Sequence, residues 1–293
     1  MSEQKLEIFN VLNFLNSGYE INDILKQGNF GTFQSSEECI NYLVENDYIS
    51  SNNNILTAEE VSTKYTVDDL KKILKENGLK VSGNKQELVE RVMPTFDKNF
   101  DDLELTSKAR EFLDENSWID LYMFALVAFR FQDYEIYVSN SSENDVQTAL
   151  NFCDEVISRA LITNQFLVFI DALSAKAHVY AYNKDYESFL DYDLQRFIIG
   201  LNPIIMDSKT YSNYVIINEA NIINLRNVIE HFDFGDLKKR FNKIWKKSNI
   251  RSITVPKNKS YKVLQKAISG TDIEELNFDL REKYFDKKFG LKI

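Results

Sequence analysis

Six basic side chains, Lys71, Lys72, Lys75, Lys80, Lys85 and Arg91, flank a Ser82-Gly83 step that opens an apolar-periodic segment. A step of this kind marks a helix N-terminus, where the first amides lack backbone acceptors and the dipole favours negative charge. Phosphate is the ligand that suits such a place. Ser82, Gly83 and the amides behind them are candidates to receive it, while Lys71, Lys72, Lys80, Lys85 and Arg91 add point charges along a nucleic-acid backbone. Residues 62–96 carry seven basic and five acidic side chains, a net of +2, against −10 for the whole chain. If ~3–4 phosphates are neutralised, the log–log salt slope is roughly −3, which predicts weak binding that leans on a second site or a partner. Base preference would then come through minor-groove shape.

A second basic region follows later. Between Asp236 and Lys266 there are eleven Lys and Arg and one acid, a net of +10, so the rest of the chain carries −20. Lys238, Lys239, Arg240, Lys243, Lys246 and Lys247 share a segment with Leu237, Phe241, Ile244 and Trp245, which makes 236–247 a basic amphipathic helix. Its flank suits nucleic acid, a dock for an acidic part of the same chain or, least favoured, an anionic membrane surface.

Enzymatic patterns are scarce. Of two histidines, His178 lies beside Val179 and Tyr180 as a packing residue, and His231 precedes Phe232-Asp233-Phe234-Gly235. That contains the Asp-Phe-Gly triplet of protein kinases without a glycine-rich loop or a His-Arg-Asp loop before it, so it reads as a helix end. No GxxxxGK, HExxH or GxSxG occurs. The pairs Asp191/Asp193 and Asp101/Asp102 read as solvated surface, and Cys39 and Cys153, with no CxxC spacing, as reduced core thiols. The expectation is a non-enzymatic, cytoplasmic protein without cofactor or metal.

The elements that must position the first basic group are local and well signalled. In TVDDLKKILKENGLKVSGNKQELVERVMPTF, Thr66 with Asp69 three residues on is a capping-box start. Val67, Leu70, Ile73 and Leu74 form one apolar face, and Gly78 suits a left-handed C′ position. Leu79 and Val81 alternate as an extended stretch, Gly83-Asn84 opens a second helix, and Leu88, Val89, Val92 and Met93 give it a buried stripe before Pro94. The order apolar-xx-Leu-xx-apolar-Leu, Gly-Leu, Ser-Gly-x-Lys, Glu-Leu-Val-x-Arg resembles the SAP motif of chromatin, repair and phage-associated proteins. The resemblance covers about 35 of 293 residues and implies a helix–extended–helix fold that contacts double-stranded DNA. Asn84 departs from the Lys, Thr or Arg more common at its position. A unit this small needs support from neighbouring helices.

Around that module the chain reads as mainly α. Nine Gly and three Pro in 293 residues are too few for an architecture with a turn at every hairpin, and 21 Phe with 15 Tyr can fill helix seams. Residues 1–61 read as an N-terminal helical region: a helix to about Gly18, a helix through Cys39–Val44, then apolar runs at 48–49 and 55–57 around a polar turn. This is the layout of a winged helix and equally of any helix followed by a hairpin. ILTAEEV at 55–61 loosely echoes LELTSKA at 103–109, which raises insertion of the 62–96 unit into an ordinary domain as one interpretation. Residues 97–250 form a helical body with helices near 118–137, 144–162, 165–182, 185–200, 208–230 and 235–247, either an irregular bundle or an array of hairpins. Ala175 to Leu190 resembles half of a tetratricopeptide unit but has no second copy and carries Phe189 where a small residue belongs. Residues 251–293 are expected to be a basic, irregular or β-containing tail. The functional expectation is a nucleic-acid-contacting accessory factor of bacterial or phage type, with a body for partner binding or self-association. The alternative is a protein–protein adaptor or inhibitor in which the SAP-like unit is structural.

Overall fold

Apolar residues at helical spacing run through most of the sequence, and the computed structural model is accordingly mainly helical. It describes residues 2–19, 31–33, 35–51, 58–93, 103–203, 214–231, 233, 235–250 and 252–289. The expected features at 55–57, Pro94, Asp101-Asp102, 208–213, Arg251 and Gly290 fall outside the described residues. The chain divides into two units, Met1–Ser117 and Trp118–Ile293. No helix of the described residues is long and apolar enough to cross a membrane.

The first unit comprises α1 (Ser2–Asn16), α2 (Ser36–Glu45), β1 (Ile49–Ser51), α3 (Ala58–Lys64), α4 (Val67–Glu76), α5 (Lys85–Val92), β2 (Leu103–Leu105) and α6 (Ser107–Glu115). Its strands pair antiparallel, with Ile49 opposite Leu105 and Ser51 opposite Leu103. Thr106 extends the ladder by donating its amide to Tyr48 O at 3.1 Å, and it also caps α6 through its hydroxyl, which accepts from the Ala109 amide. The strand after α2 thus pairs across a long insertion. α3, α4 and α5 lie between the two paired strands in sequence, which matches the insertion interpretation. They also keep a core of their own, made by Val61, Leu70, Leu74, Leu88, Val89 and Val92, with Tyr65, Val67, Ile73 and Met93 packed against it. Every apolar position expected of the two module helices is there. The expected support comes from α3 through Val61.

The second unit comprises α7 (Trp118–Leu121) running into a π-helical turn (Tyr122–Leu126), α8 (Phe131–Ser139), α9 (Asp145–Ile162), α10 (Phe166–Tyr182), α11 (Tyr186–Gly200), α12 (Glu219–His231), α13 (Leu237–Lys247), α14 (Lys257–Ile268), α15 (Ile273–Leu280), a second π-helical turn (Arg281–Phe285) and α16 (Asp286–Phe289). α10 packs against both α9 and α11. It is apolar on most sides, and Ala172, Ala175 and Ala177 on it are buried. Asn164 and Lys184, with φ of 56° and 60°, end α9 and α10 in the left-handed conformation that closes a helix.

Three features differ from the reading of the sequence. The helix expected over 118–137 breaks at 127–130. There Tyr122 donates its hydroxyl to Phe129 O at 2.8 Å, and Trp118 stacks on Phe131 at 5.3 Å between ring centroids. Packing of large aromatic faces outweighs continuity of the helix. Residues 214–218 are not helical, and Tyr214 is buried with its hydroxyl donated to Gly200 O at 2.8 Å. The expected irregular tail is instead largely helical. Leu264, Ala267, Leu276, Leu280 and Phe285 join Phe169, Leu194, Phe197 and Phe241 in one core, so these segments are held by burial rather than by intrinsic propensity.

Candidate nucleic-acid interface

The connector between α4 and α5 is held at both ends by hydrogen bonds that its sequence dictates. Thr66 and Asp69 form a reciprocal capping box at the start of α4, and these bonds from Thr66 hold the Asp69 carboxyl below its usual range. At the far end Gly78 adopts φ +66°, and the Leu79 amide bonds Leu74 O at 2.7 Å. Asn84 then caps α5. Its Oδ1 accepts from the Glu87 amide at 3.0 Å, and Glu87 Oε2 accepts from the Asn84 amide at 3.2 Å. The residue that departs from the usual motif is therefore the N-cap, and the spacing Asn-x-x-Glu is the overlooked signal for it. Gly83 has φ +144°, and a Cβ there would lie 2.5 Å from Glu87 Oε2. The φ favours glycine, and a Cβ would in addition push the Glu87 carboxylate out of the cap.

This geometry assigns different tasks to the expected contact residues. Arg91 Nη1 donates to Lys80 O at 2.6 Å and Ser82 O at 2.9 Å, so its guanidinium braces the connector from within the module. Lys71, Lys72, Lys80 and Lys85 are exposed, as are Ser82 and Gly83. At the N-terminus of α5 the capping box engages the Asn84 and Glu87 amides and leaves out those of Lys85 and Gln86. Two amides, a serine hydroxyl and nearby lysines can receive one phosphate group, against the repulsion of the Glu87 carboxylate. Leu79 and Val81 on the same connector are each 39% exposed. The structure brings Lys80, Ser82 and Arg91 into direct contact. Lys71 and Lys72 lie on α4, outside that network.

The second basic segment splits in two. Arg240 is drawn inward: its guanidinium pairs with Glu187 and with Asp191 at 2.6 Å, and it donates to Glu187 O at 2.8 Å, which ties α13 to α11. The acidic dock expected for this helix exists for that one residue. Lys238, Lys239, Lys243, Lys246 and Lys247 remain exposed, whereas Phe241 and Ile244 are buried.

Elsewhere, residues considered for chemistry have structural surroundings. His178 Nδ1 lies 2.8 Å from Ser174 O, and its ring contacts Phe124 and Phe189. Asp233 accepts from the Gly235 amide at 2.8 Å through its side chain, and Asp236 just after is the N-cap of α13. Asp191 pairs with Arg240, while Asp193 is buried, 3.8 Å from Arg196. Among the described residues no group of three or more His, Cys, Asp or Glu is placed to hold a metal ion.

No curated protein and no solved structure matches the chain. Residues 62–96, which enclose the capped helices, the braced connector and all of the separate apolar core but Val61, match the family model of the SAP domain, and the match is confined to that segment.

Proposed function

We propose that this protein is a non-enzymatic accessory factor that contacts double-stranded DNA through its SAP module, using the larger unit to bind a protein partner or a second copy. The observation that carries the proposal is the SAP match to residues 62–96 together with the exposure of Lys80, Ser82 and Gly83 on the connector and of Lys85 at the start of α5. A SAP domain points to nucleic-acid or chromatin-associated binding in general. Duplex contact in the cytoplasm of a bacterial or phage-infected cell is the finer reading. With two free amides and few lysines, the module meets ~3–4 phosphates, and the log–log salt slope it contributes is roughly −3.

Titration of a DNA duplex at several salt concentrations tests this. The variant Lys80→Gln/Lys85→Gln should bind more weakly, with a shallower slope. Arg91 is left intact because its loss would disturb the connector as well as the charge. Equal binding by variant and parent, or no binding at low salt, removes the proposal. One observation favours the adaptor reading. The Glu87 carboxylate sits at the helix N-terminus where phosphate would dock, and Leu79 and Val81 offer apolar contact beside it. In that reading the same face would dock a protein, and Leu79→Ser/Val81→Ser would abolish partner binding while Lys80→Gln/Lys85→Gln would not.

A further inference from the structure

Lys238, Lys239, Lys243, Lys246 and Lys247 share the solvent-facing side of α13 and line a shallow concavity with Asn242 and Asp236. Lys239, Lys243 and Lys247 stand at i, i+4 and i+8, so they form a ladder with steps of about 6 Å along the helix axis. None of the five has an ion-pair partner among the described residues, and Glu187 and Asp191 are occupied by Arg240. Neither α13 nor the neighbouring α14 contains an Asp or Glu, and Lys259, Lys262 and Lys266 on α14 are exposed as well.

Such a face weakens the isolated helix. Like charges at i, i+4 repel, as Lys239 does Lys243 and Lys243 does Lys247. Lys246 and Lys247 complement the negative end of the helix dipole, but Lys238 and Lys239 lie in the first turn, at the positive end. Folding therefore explains two of the five lysines. A polyanion laid along the helix would neutralise all of them.

We infer that this lysine face of α13 is a second phosphate-backbone contact, which takes duplex nucleic acid. It lies in the other unit from the SAP module and works by lysines along a helix flank instead of amides at a helix start. Insertion into a membrane surface needs an exposed apolar side on the same helix. Here Phe241 and Ile244 are buried in the core, and Leu237 and Trp245 pack against it. Single strands are gripped by aromatic platforms that bases can stack on. The aromatics nearby, Phe241, Trp245 and Tyr261, pack on one another.

The test uses the full chain, a short mixed-sequence DNA duplex and a salt series. Lys239→Gln/Lys243→Gln/Lys247→Gln should weaken binding about tenfold or more at low salt and lower the log–log slope by roughly 2–3, about one per lost phosphate contact. The Lys→Arg triple at the same positions should bind like the parent, and circular dichroism should show equal helix content for all three. Unchanged affinity and slope in the Gln triple overturns the inference. So does ladder-dependent binding to phosphatidylserine vesicles with duplex binding unaffected. Lys80→Gln/Lys85→Gln, measured alongside, separates the two proposals. Loss confined to that variant leaves the SAP reading standing and removes this one, and loss confined to the ladder variant does the reverse.

Discussion

Replacing Asn202 with alanine should destabilise the second unit severely, because one buried amide holds two segments together. Asn202 is 1% exposed, and its Oδ1 accepts from the Thr254 and Val255 amides at 2.9 and 3.0 Å. Its Nδ2 donates to Ile198 O at 2.9 Å. Alanine would leave two buried N–H groups and one carbonyl without these partners. Each unsatisfied group costs about 1–3 kcal/mol, and partial relaxation brings the expected sum to about 3–5 kcal/mol. With a urea m-value of about 2 kcal/mol/M, the midpoint should fall by roughly 1.5–2.5 M. Trp118 and Trp245 are the only tryptophans and both belong to the second unit, so tryptophan fluorescence during urea titration reads the affected unit alone. Asn140→Ala is the matched control. Its Nδ2 makes a similar bond to Ile136 O at 2.7 Å, but in solvent, where water replaces the lost partner, and it should cost less than about 1 kcal/mol. A loss from Asn202→Ala as small as that of the control would refute the reasoning.

Asn84→Ala should loosen α5 by about 1 kcal/mol, and Gly83→Ala should loosen it too, because φ +144° strains a residue with a Cβ and the Glu87 carboxylate must then leave the cap. Amide exchange across Lys85–Val92 reports both, and unchanged protection in the Gly83 variant would contradict the cap geometry. Burial pushes the Asp193 carboxyl up to about 7, against the pull of Arg196. The folded state therefore binds the extra proton between the unfolded value near 4 and about 7, so stability falls as pH rises through that window. Asp193→Asn should flatten this dependence, and an identical pH profile in the two proteins would exclude Asp193 as its source. Burial also raises the Cys39 and Cys153 thiols to about 12. Neither should react with a disulfide reagent near neutral pH until the protein is unfolded, and rapid labelling of the native chain would count against their placement.

The SAP module was legible because its determinants lie close together in sequence. Thr66 and Asp69 are three residues apart, the stripes at 70, 74, 88, 89 and 92 follow helical period, and Gly78 closes a turn begun four residues earlier. Local hydrogen bonds and periodic burial need no distant partner, so such a unit can be recognised from about 35 residues. The roles of its charged residues were not legible in the same way. Arg91 looks like any surface arginine until folding brings the carbonyls of Lys80 and Ser82 beneath it. Arg240 cannot be told from its lysine neighbours until α11 presents Glu187 and Asp191, about fifty residues away in sequence. The pairing of β1 with β2 across the inserted module, and the helical order of 257–289, likewise depend on contacts between remote segments. Sequence by itself determined which short stretches are helical and which faces are apolar, since those follow from neighbours a turn away. Only the tertiary structure decided which of the many basic side chains are consumed in holding the protein together and which remain free to meet a phosphate, because that depends on which carboxylates and carbonyls the fold brings within reach.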